Sequence, residues 1–420
     1  MTYSVGAQFI APELAGAKYK GAMNRAPTGL AGNSTGAGMT EWQVLRLSDF
    51  AELGKDQFKP DQNADFKYIG LEHIEQEKLR LNSVGHSSEV ASNKFFFKNG
   101  DILFGKLRPY FRKVVKAKFD GICSTDIWVV RAKKNCSQEF LFYFLANWEF
   151  INTANAGEGG SRMPRADWNF LKDTEWALPV QEEQKAIAAV LNSLDDKIDL
   201  LHRQNQTLEA MAATLFRQWF VEEAQEDWEE RPLSGIAIFL NGLACQKFPP
   251  KNEMEKLPVL KIRELSSGIS EASDWAASEV KPEYIVEAGD VIFAWSASLM
   301  VKVWDGERCV LNQHLFKVTS DEFPKWFYLM WCKYHLAEFI SISASHATTM
   351  GHIKRGDLDA AMVSVPSQDE LKAMSEKMTP LLSRQIAIAK QICTLSTLRD
   401  TLLPKLMSGE VRVALDKEAA

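Results

Sequence analysis

A chain of 420 residues, 46% hydrophobic and 25% charged, is long enough for two or three domains and has the composition of a globular protein. No apolar run approaches the roughly 18 residues that span a bilayer, and no basic stretch precedes an apolar one at the N-terminus, so neither a membrane span nor a secretion signal is expected. Six scattered cysteines without a C-x-x-C pair argue against zinc and disulfides, and the expected compartment is the reducing cytoplasm. The net charge of -6 is unevenly spread. Lys94 to Lys134 holds eleven cations and three acids (+8), whereas Gln181 to Glu230 holds four and twelve (-8). A basic globular segment beside an acidic helical one fits a DNA-facing domain joined to a protein-facing element.

In chain order, residues 1–38 are rich in Gly and Ala without periodicity and read as a disordered extension. The first domain, 39–180, contains the β-rich runs "FKYIGLEHI", "GDILFGKL" and "DIWVVRA" and the apolar helix "QEFLFYFLANWEFI". Its stretch "NGDILFGKLRPYFRKV" (99–114) fits most of the phosphate-loop pattern G-x-x-x-x-G-K-[ST] through Gly100, Gly105 and Lys106. Leu107 stands where a magnesium-binding hydroxyl belongs, and "DILF" is a strand pattern rather than a glycine-rich cradle.

From 181 to 224 runs a central helix whose steps of four and three carry Ile187, Leu191, Leu194, Ile198, Leu201, Asn205, Leu208, Ala212, Leu215 and Trp219. This 3.5-residue period predicts a coiled coil. A second domain, 225–367, has its own apolar helix, "FPKWFYLMWCKYHLAEFI". A C-terminal helix, 368–412, repeats the seam with Met374, Met378, Leu381, Gln385, Ile388, Ile392, Leu395, Arg399, Leu402 and Leu406, before a tail at 413–420. The two helices are expected to pair antiparallel, with Asn205, Gln385 and Arg399 setting the register. The domains would then sit at opposite ends of a rod about 50 Å long, roughly fifteen base pairs of B-DNA.

The halves repeat one another. "EWQVLRLSDFAEL" matches "DWEERPLSGIAIF", "GDILF" matches "GDVIF", "SRMPRADW" matches "GHIKRGDL" with Arg165 on Arg355, and "LPVQEEQKAI" matches "VPSQDELKAM", all at offsets of 186 to 190 residues. "LFRQWF" likewise corresponds to "LLPKLM". The fold class read from this is α+β: two tandem mixed domains separated by two long helices in an antiparallel coiled coil, with pseudo-twofold symmetry. The second copy, "GDVIFAWSAS", lacks the Gly and Lys of a phosphate loop, so Gly100 and Asp101 belong to a shared structural strand. No methyltransferase [DNS]-P-P-[YF], H-E-x-x-H or G-x-S-x-G motif occurs, and "PDQNADFK" imitates a nuclease signature at too short a spacing and in one half only.

The duplicated G-D-[IV]-[IL]-F strand, "YIGLEHI", the "LP-x-x-EEQ-x-x-I" junction and the "LFRQWF" helix end resemble the specificity subunit of type I restriction–modification enzymes over residues 39–412. The resemblance implies a non-catalytic subunit whose two target recognition domains read the halves of a split, asymmetric DNA site. It implies that the coiled coil sets the spacer and docks two methyltransferase subunits, and that restriction/translocase subunits join the complex. S-adenosylmethionine would be held by the modification subunits, and ATP and magnesium by the motor subunit, with no cofactor or metal in this chain. "VPSQDELKAM" departs from the family pattern by lacking the Glu-Gln pair, which bears on the symmetry of the docking surfaces. The alternatives are a single-chain DNA methyltransferase or endonuclease with fused recognition domains, and a scaffold that does not bind DNA.

Charge and chemistry nominate the DNA contacts. In the first half they are Lys106, Arg108, Arg112 and Lys113 after the strand, with Arg162 and Arg165 in a polar loop. In the second half they are Ser296, Ser298, Gln313, His314, Thr348, Thr349, Lys354 and Arg355. Different side chains at equivalent positions are what two different half-sites require.

Overall fold

The computed structural model describes residues 42–59, 65–156, 163–270, 272–345 and 351–414. The expectations for residues 1–38, for Arg162, Thr348 and Thr349, and for most of the 413–420 tail lie outside the described residues.

Among the described residues each half builds three sheets of the same kinds, the mixed one with five strands in the first half and four in the second. In the first, strands Ala51–Leu53, Ile127–Ala132, Ile102–Gly105 and Val114–Lys116 lie in that spatial order, all antiparallel. In the second, Ile238–Asn241, Leu315–Thr319, Val291–Ala294 and Met300–Val303 repeat the order and direction. A mixed sheet in each half contains one parallel pair, Lys67–Ile69 with Gly121–Cys123 and Lys256–Leu260 with Cys309–Leu311. A two-stranded ribbon closes each domain, Gln43–Arg46 with Glu175–Leu178 and Glu229–Pro232 with Met362–Val365.

The Gly-Asp pair is a strand-entry device. Gly100 and Gly289 hold φ of +91° and +104°, where a Cβ is strained. The next carboxylate turns back: Asp101 accepts from the Lys98 N–H (2.8 Å) and from Arg131 Nε and Nη2 (2.9 and 2.8 Å). Asp290 accepts from the Glu287 N–H (2.9 Å) and pairs with Lys317 (2.8 Å).

Two expectations need correction. "FKYIGLEHI" is a strand only over Lys67–Ile69; Gly70 then opens a 3₁₀ turn, Leu71–His73. The apolar runs expected as single helices are two each, Gln138–Ala146 with Trp148–Ala156, and Lys325–Tyr334 with Leu336–Ser345. Their aromatics, Phe140, Phe150, Trp326, Phe327 and Phe339 among them, are buried in the cores.

The long helices are Gln181–Arg217, continued by a π turn at Gln218–Glu222, and Gln368–Met407. Arg399 Nη1 donates to Asp195 Oδ1 at 2.7 Å, and Met378 and Leu382 lie with Phe216 and Ala212, so the start of each helix faces the end of the other. The pairing is antiparallel. Every expected seam position is buried or half-buried. Arg399 sets the register through its ion pair, whereas Asn205 Oδ1 is buried without a protein partner. The first domain's core takes in Ile187, Ala188 and Leu191 from one helix and Leu403, Leu406 and Met407 from the other. The second takes in Ala212, Phe216 and Phe220 with Met378 and Leu382. Each domain therefore clamps both helices, one at each end of the rod.

The domains are not held apart, however. Lys78 Nζ reaches 3.9 Å from where a Cβ on Gly268 would stand, so a loop of the first domain meets one of the second. His202, half-buried mid-rod, is pushed down to about 4 by burial and by nearby Arg80, with Lys78 adding to the effect and Asp199 and Asp305 opposing it. Loops from both domains thus crowd the same part of the rod.

The junction motif also finds its reason. Trp42 Nε1 donates to Glu183 Oε2 and Trp228 Nε1 to Glu370 Oε2, both at 3.2 Å, so each domain's first tryptophan ties to a glutamate in the first turn of the long helix that follows it. Gln184 is buried, accepting from the Ser137 N–H (2.9 Å) and donating to the Asn135 and Pro179 carbonyls (both 3.0 Å). The Glu-Gln pair is thus an internal tie; the second half keeps its glutamate as Glu370 and puts Leu371, packed against that domain's core, in place of the glutamine.

Cys123, Cys136, Cys245, Cys309 and Cys332 are buried, and burial raises each thiol pKa, to about 12 for Cys123 and Cys136. The native chain should therefore incorporate one equivalent of a thiol reagent, at exposed Cys393, as peptide mapping would show. Rapid labelling of all six would contradict this packing.

Candidate nucleic-acid interface

In each half, the turn leaving the Gly-Asp strand is stitched to two other loops by one backbone pattern. Lys106 N–H donates to the Asp126 carbonyl (2.9 Å), Ala166 N–H to the Lys106 carbonyl (2.8 Å), and Arg108 N–H to the Pro164 carbonyl (2.7 Å). In the second half Trp295 N–H donates to the His314 carbonyl (3.4 Å), Ile353 N–H to the Trp295 carbonyl (3.1 Å), and Ala297 N–H to the Gly351 carbonyl (2.8 Å). Arg108 and Ala297 share the left-handed conformation, at φ of 53° and 57°. Such a conformation is strained for a residue with a Cβ, and both halves keep it at the same place.

This pairing corrects the alignment of the polar loops. The bridge Leu107–Arg165 matches Ser296–His352, so His352 rather than Arg355 is the counterpart of Arg165. The three-residue slip is invisible in the sequence because "RAD" and "RGD" look alike.

On this common frame the side chains differ. In the first half Lys106 and Arg108 are half-buried, and exposed Arg165 pairs with Asp126 at 3.3 Å. Arg108 Nε is buried without a protein acceptor, and its guanidinium lies over the Phe111 ring at 5.9 Å. In the second half Trp295 replaces Lys106, stacking on Phe316 (5.6 Å between centroids) and donating from Nε1 to Asn241 Oδ1 (3.2 Å). His314 has Ser296 Oγ 3.2 Å from Nδ1 and Gln313 Nε2 3.4 Å from Nε2. Ser296 is buried and so serves to orient His314, while Ser298, Lys354 and Arg355 are exposed. One turn is cationic; the other is aromatic and amide-rich.

Two expected contacts turn inward. Arg112 is buried, donating from Nε to the Ala146 carbonyl (2.7 Å) and from both Nη atoms to Asp400 Oδ1 (3.2 Å). Lys113 donates to the Leu71 carbonyl at 2.5 Å, and burial lowers its pKa. Arg112 closes the turn in a left-handed conformation (φ 47°) and Lys113 leads into the strand Val114–Lys116, so the two neighbours leave in different directions, one to the rod and one to the Leu71 carbonyl. Part of the +8 segment is likewise neutralised by acids outside it, through Arg131–Asp56 (3.5 Å) and Lys118–Asp199, the latter on the acidic helix. Trp295, Asn241 and His352 were missed from the sequence: an aromatic or amide carries no charge signal, and His352 was hidden by the slipped alignment.

The chain is thus a duplicated pair of mixed domains clamped to a common rod, each carrying on a shared backbone frame a turn whose side chains differ between the halves. A family model for the type I restriction modification DNA specificity domain matches the chain twice, over residues 39–210 and 225–394. The chain belongs to that family and is a DNA-specificity subunit. It is 26% identical over 409 residues to the type I restriction enzyme MjaIX specificity subunit of Methanocaldococcus jannaschii, covering 89% of this chain and 94% of that one. Identity to the HindI specificity subunit of Haemophilus influenzae is 19% over 464 residues, covering 89% of this chain and all (100%) of that one. The crystal structure of a type I restriction–modification S subunit from M. genitalium matches its fold with a TM-score of 0.51 at 15% identity, covering 89% and 98% of the two chains. Among the described residues no helix is long and apolar enough to cross a membrane.

Proposed function

We propose that this chain reads a bipartite, asymmetric double-stranded DNA site in the cytoplasm, each domain taking one half-site, and that it performs no chemistry of its own. Two methyltransferase subunits dock on the coiled coil, bring S-adenosylmethionine, and methylate adenine at the sites this chain selects. Restriction/translocase subunits add ATP- and magnesium-dependent movement and cleavage. The observation that carries the reading is the pair of turns with one backbone frame and two chemistries, Lys106–Arg108 and Trp295–Ala297. Cations suit phosphates and guanine O6/N7, whereas an aromatic face and amides suit thymine methyl groups and adenine.

The test combines this chain with modification subunits and labelled S-adenosylmethionine on duplexes carrying either or both half-sites. Methylation confined to the bipartite site is expected. Methylation by this chain alone, or by the complex without regard to sequence, would sink the reading. Point variants should separate the halves. Lys106→Ala should weaken binding on all sequences and reduce the salt slope by about one. Trp295→Ala should leave the slope unchanged and relax discrimination in one half-site, as salt titrations of fluorescent duplexes would show.

A further inference from the structure

The halves differ most where each domain grips the rod. Under the first domain six polar side chains from four elements close into a network. Arg112, the last residue of the reading turn, donates to Asp400 of the second long helix. Arg399 donates to Asp400 (3.1 Å) and to Asp195 of the first long helix (2.7 Å). Tyr143, on helix Gln138–Ala146, donates to Asp195 (2.7 Å), and the Asn192 side-chain amide lies 3.1 Å from the same hydroxyl. Arg112 and Arg399 are only 2% and 3% exposed, so each relies on its carboxylate partners.

Among the described residues the second domain's seat on the rod has no such network; its polar side-chain ties there include Trp326 Nε1 donating to Ser375 Oγ (2.9 Å) and the more exposed pair Lys333–Glu209. At an offset of 187 residues, Arg112, Tyr143, Asn192 and Asp195 correspond to Leu299, Met330, Thr379 and Leu382, while Arg399 and Asp400 correspond to Ala212 and Ala213. Four of these, Ala212, Ala213, Met330 and Leu382, line a groove of about 400 Å³ instead of closing it. Ion pairs hold one geometry, and polar groups on a helical seam select one register. Apolar contact is non-directional and tolerates tilt or sliding.

We propose that the Arg112–Asp400–Arg399–Asp195–Tyr143 network is a positioning pin. It locks the first domain's reading turn to the rod, so this half supplies the fixed end of the spacing. The second domain, on its apolar seat, supplies the adjustable end. The inference rests on bipartite reading of DNA by the two domains.

The test transplants the apolar seat into the first half: Arg112→Leu, Tyr143→Met, Asp195→Leu, Arg399→Ala and Asp400→Ala in the full chain with its modification subunits. Methylation is measured on duplexes with unchanged half-sites and the spacer at native length or one base pair longer or shorter. The ratio of native to altered spacer should fall by about tenfold or more, with half-site mismatch discrimination unchanged. If the transplanted chain does not fold, Arg112→Lys serves, because an ammonium keeps the charge but cannot reproduce the guanidinium's bonds to Ala146 and Asp400. It should give an intermediate ratio. A native-like spacer ratio in whichever variant folds would overturn the pin. A wild type indifferent to spacer or half-site would instead overturn bipartite reading itself.

Discussion

Inserting four residues after Asn205 is expected to abolish modification at sites with the native spacer and to move residual activity to longer ones. Four residues lengthen one helix by about 6 Å and rotate its distal part by about 40°. The facing helix is unchanged, so contacts of Ala212 and Phe216 with Met378 and Leu382 shift by a turn. The second domain must follow, because Phe216 and Phe220 are part of its core. A displacement of about 6 Å is close to two base-pair steps. Methylation of a spacer-length series reads the effect, and an unshifted optimum would refute the rod as the ruler. The contact between Lys78 and the Gly268 loop would have to break, so the insertion also measures how much that contact contributes to spacing.

Asp400→Ala should be markedly destabilising although it removes a partly exposed side chain. Asp400 is the carboxylate shared by Arg112 and Arg399, and its loss leaves the buried Arg112 guanidinium with the Ala146 carbonyl as acceptor and the Trp148 ring 5.4 Å away, but no counter-charge bonded to it. Removing one partner of a buried ion pair costs about 3–5 kcal/mol. Asp400 is itself partly exposed, so water can reach the vacated position and the lower end, about 3 kcal/mol, is the expected loss. Urea unfolding followed by circular dichroism would measure it. A loss below about 1 kcal/mol, typical of surface pairs, would mean the network is no more than a surface cluster.

The rod is legible in the amino-acid sequence. Its seam follows from a 3.5-residue period that shows in the sequence because apolar side chains cannot remain in water along one face. The duplication was legible for a similar reason: Trp42 and Trp228, Gly100 and Gly289, and Asp101 and Asp290 are held by backbone conformation and internal hydrogen bonds, which admit few residue types. The recognition turns could be located, since they follow the shared strand, but their inward and outward faces could not be separated. Arg108 and Arg112 are equally basic in the sequence. Only the left-handed turn and the packing of the next strand send one over Phe111 and the other beneath the domain to Asp400. Charge blocks misled for a related reason, because Coulomb partners such as Lys118 and Asp199 lie 81 residues apart and meet only after folding. Period and turn chemistry are local properties that a one-dimensional pattern records. Which cation faces DNA, and which pins a domain to its rod, depends on partners brought together by the chain's return along its own helix.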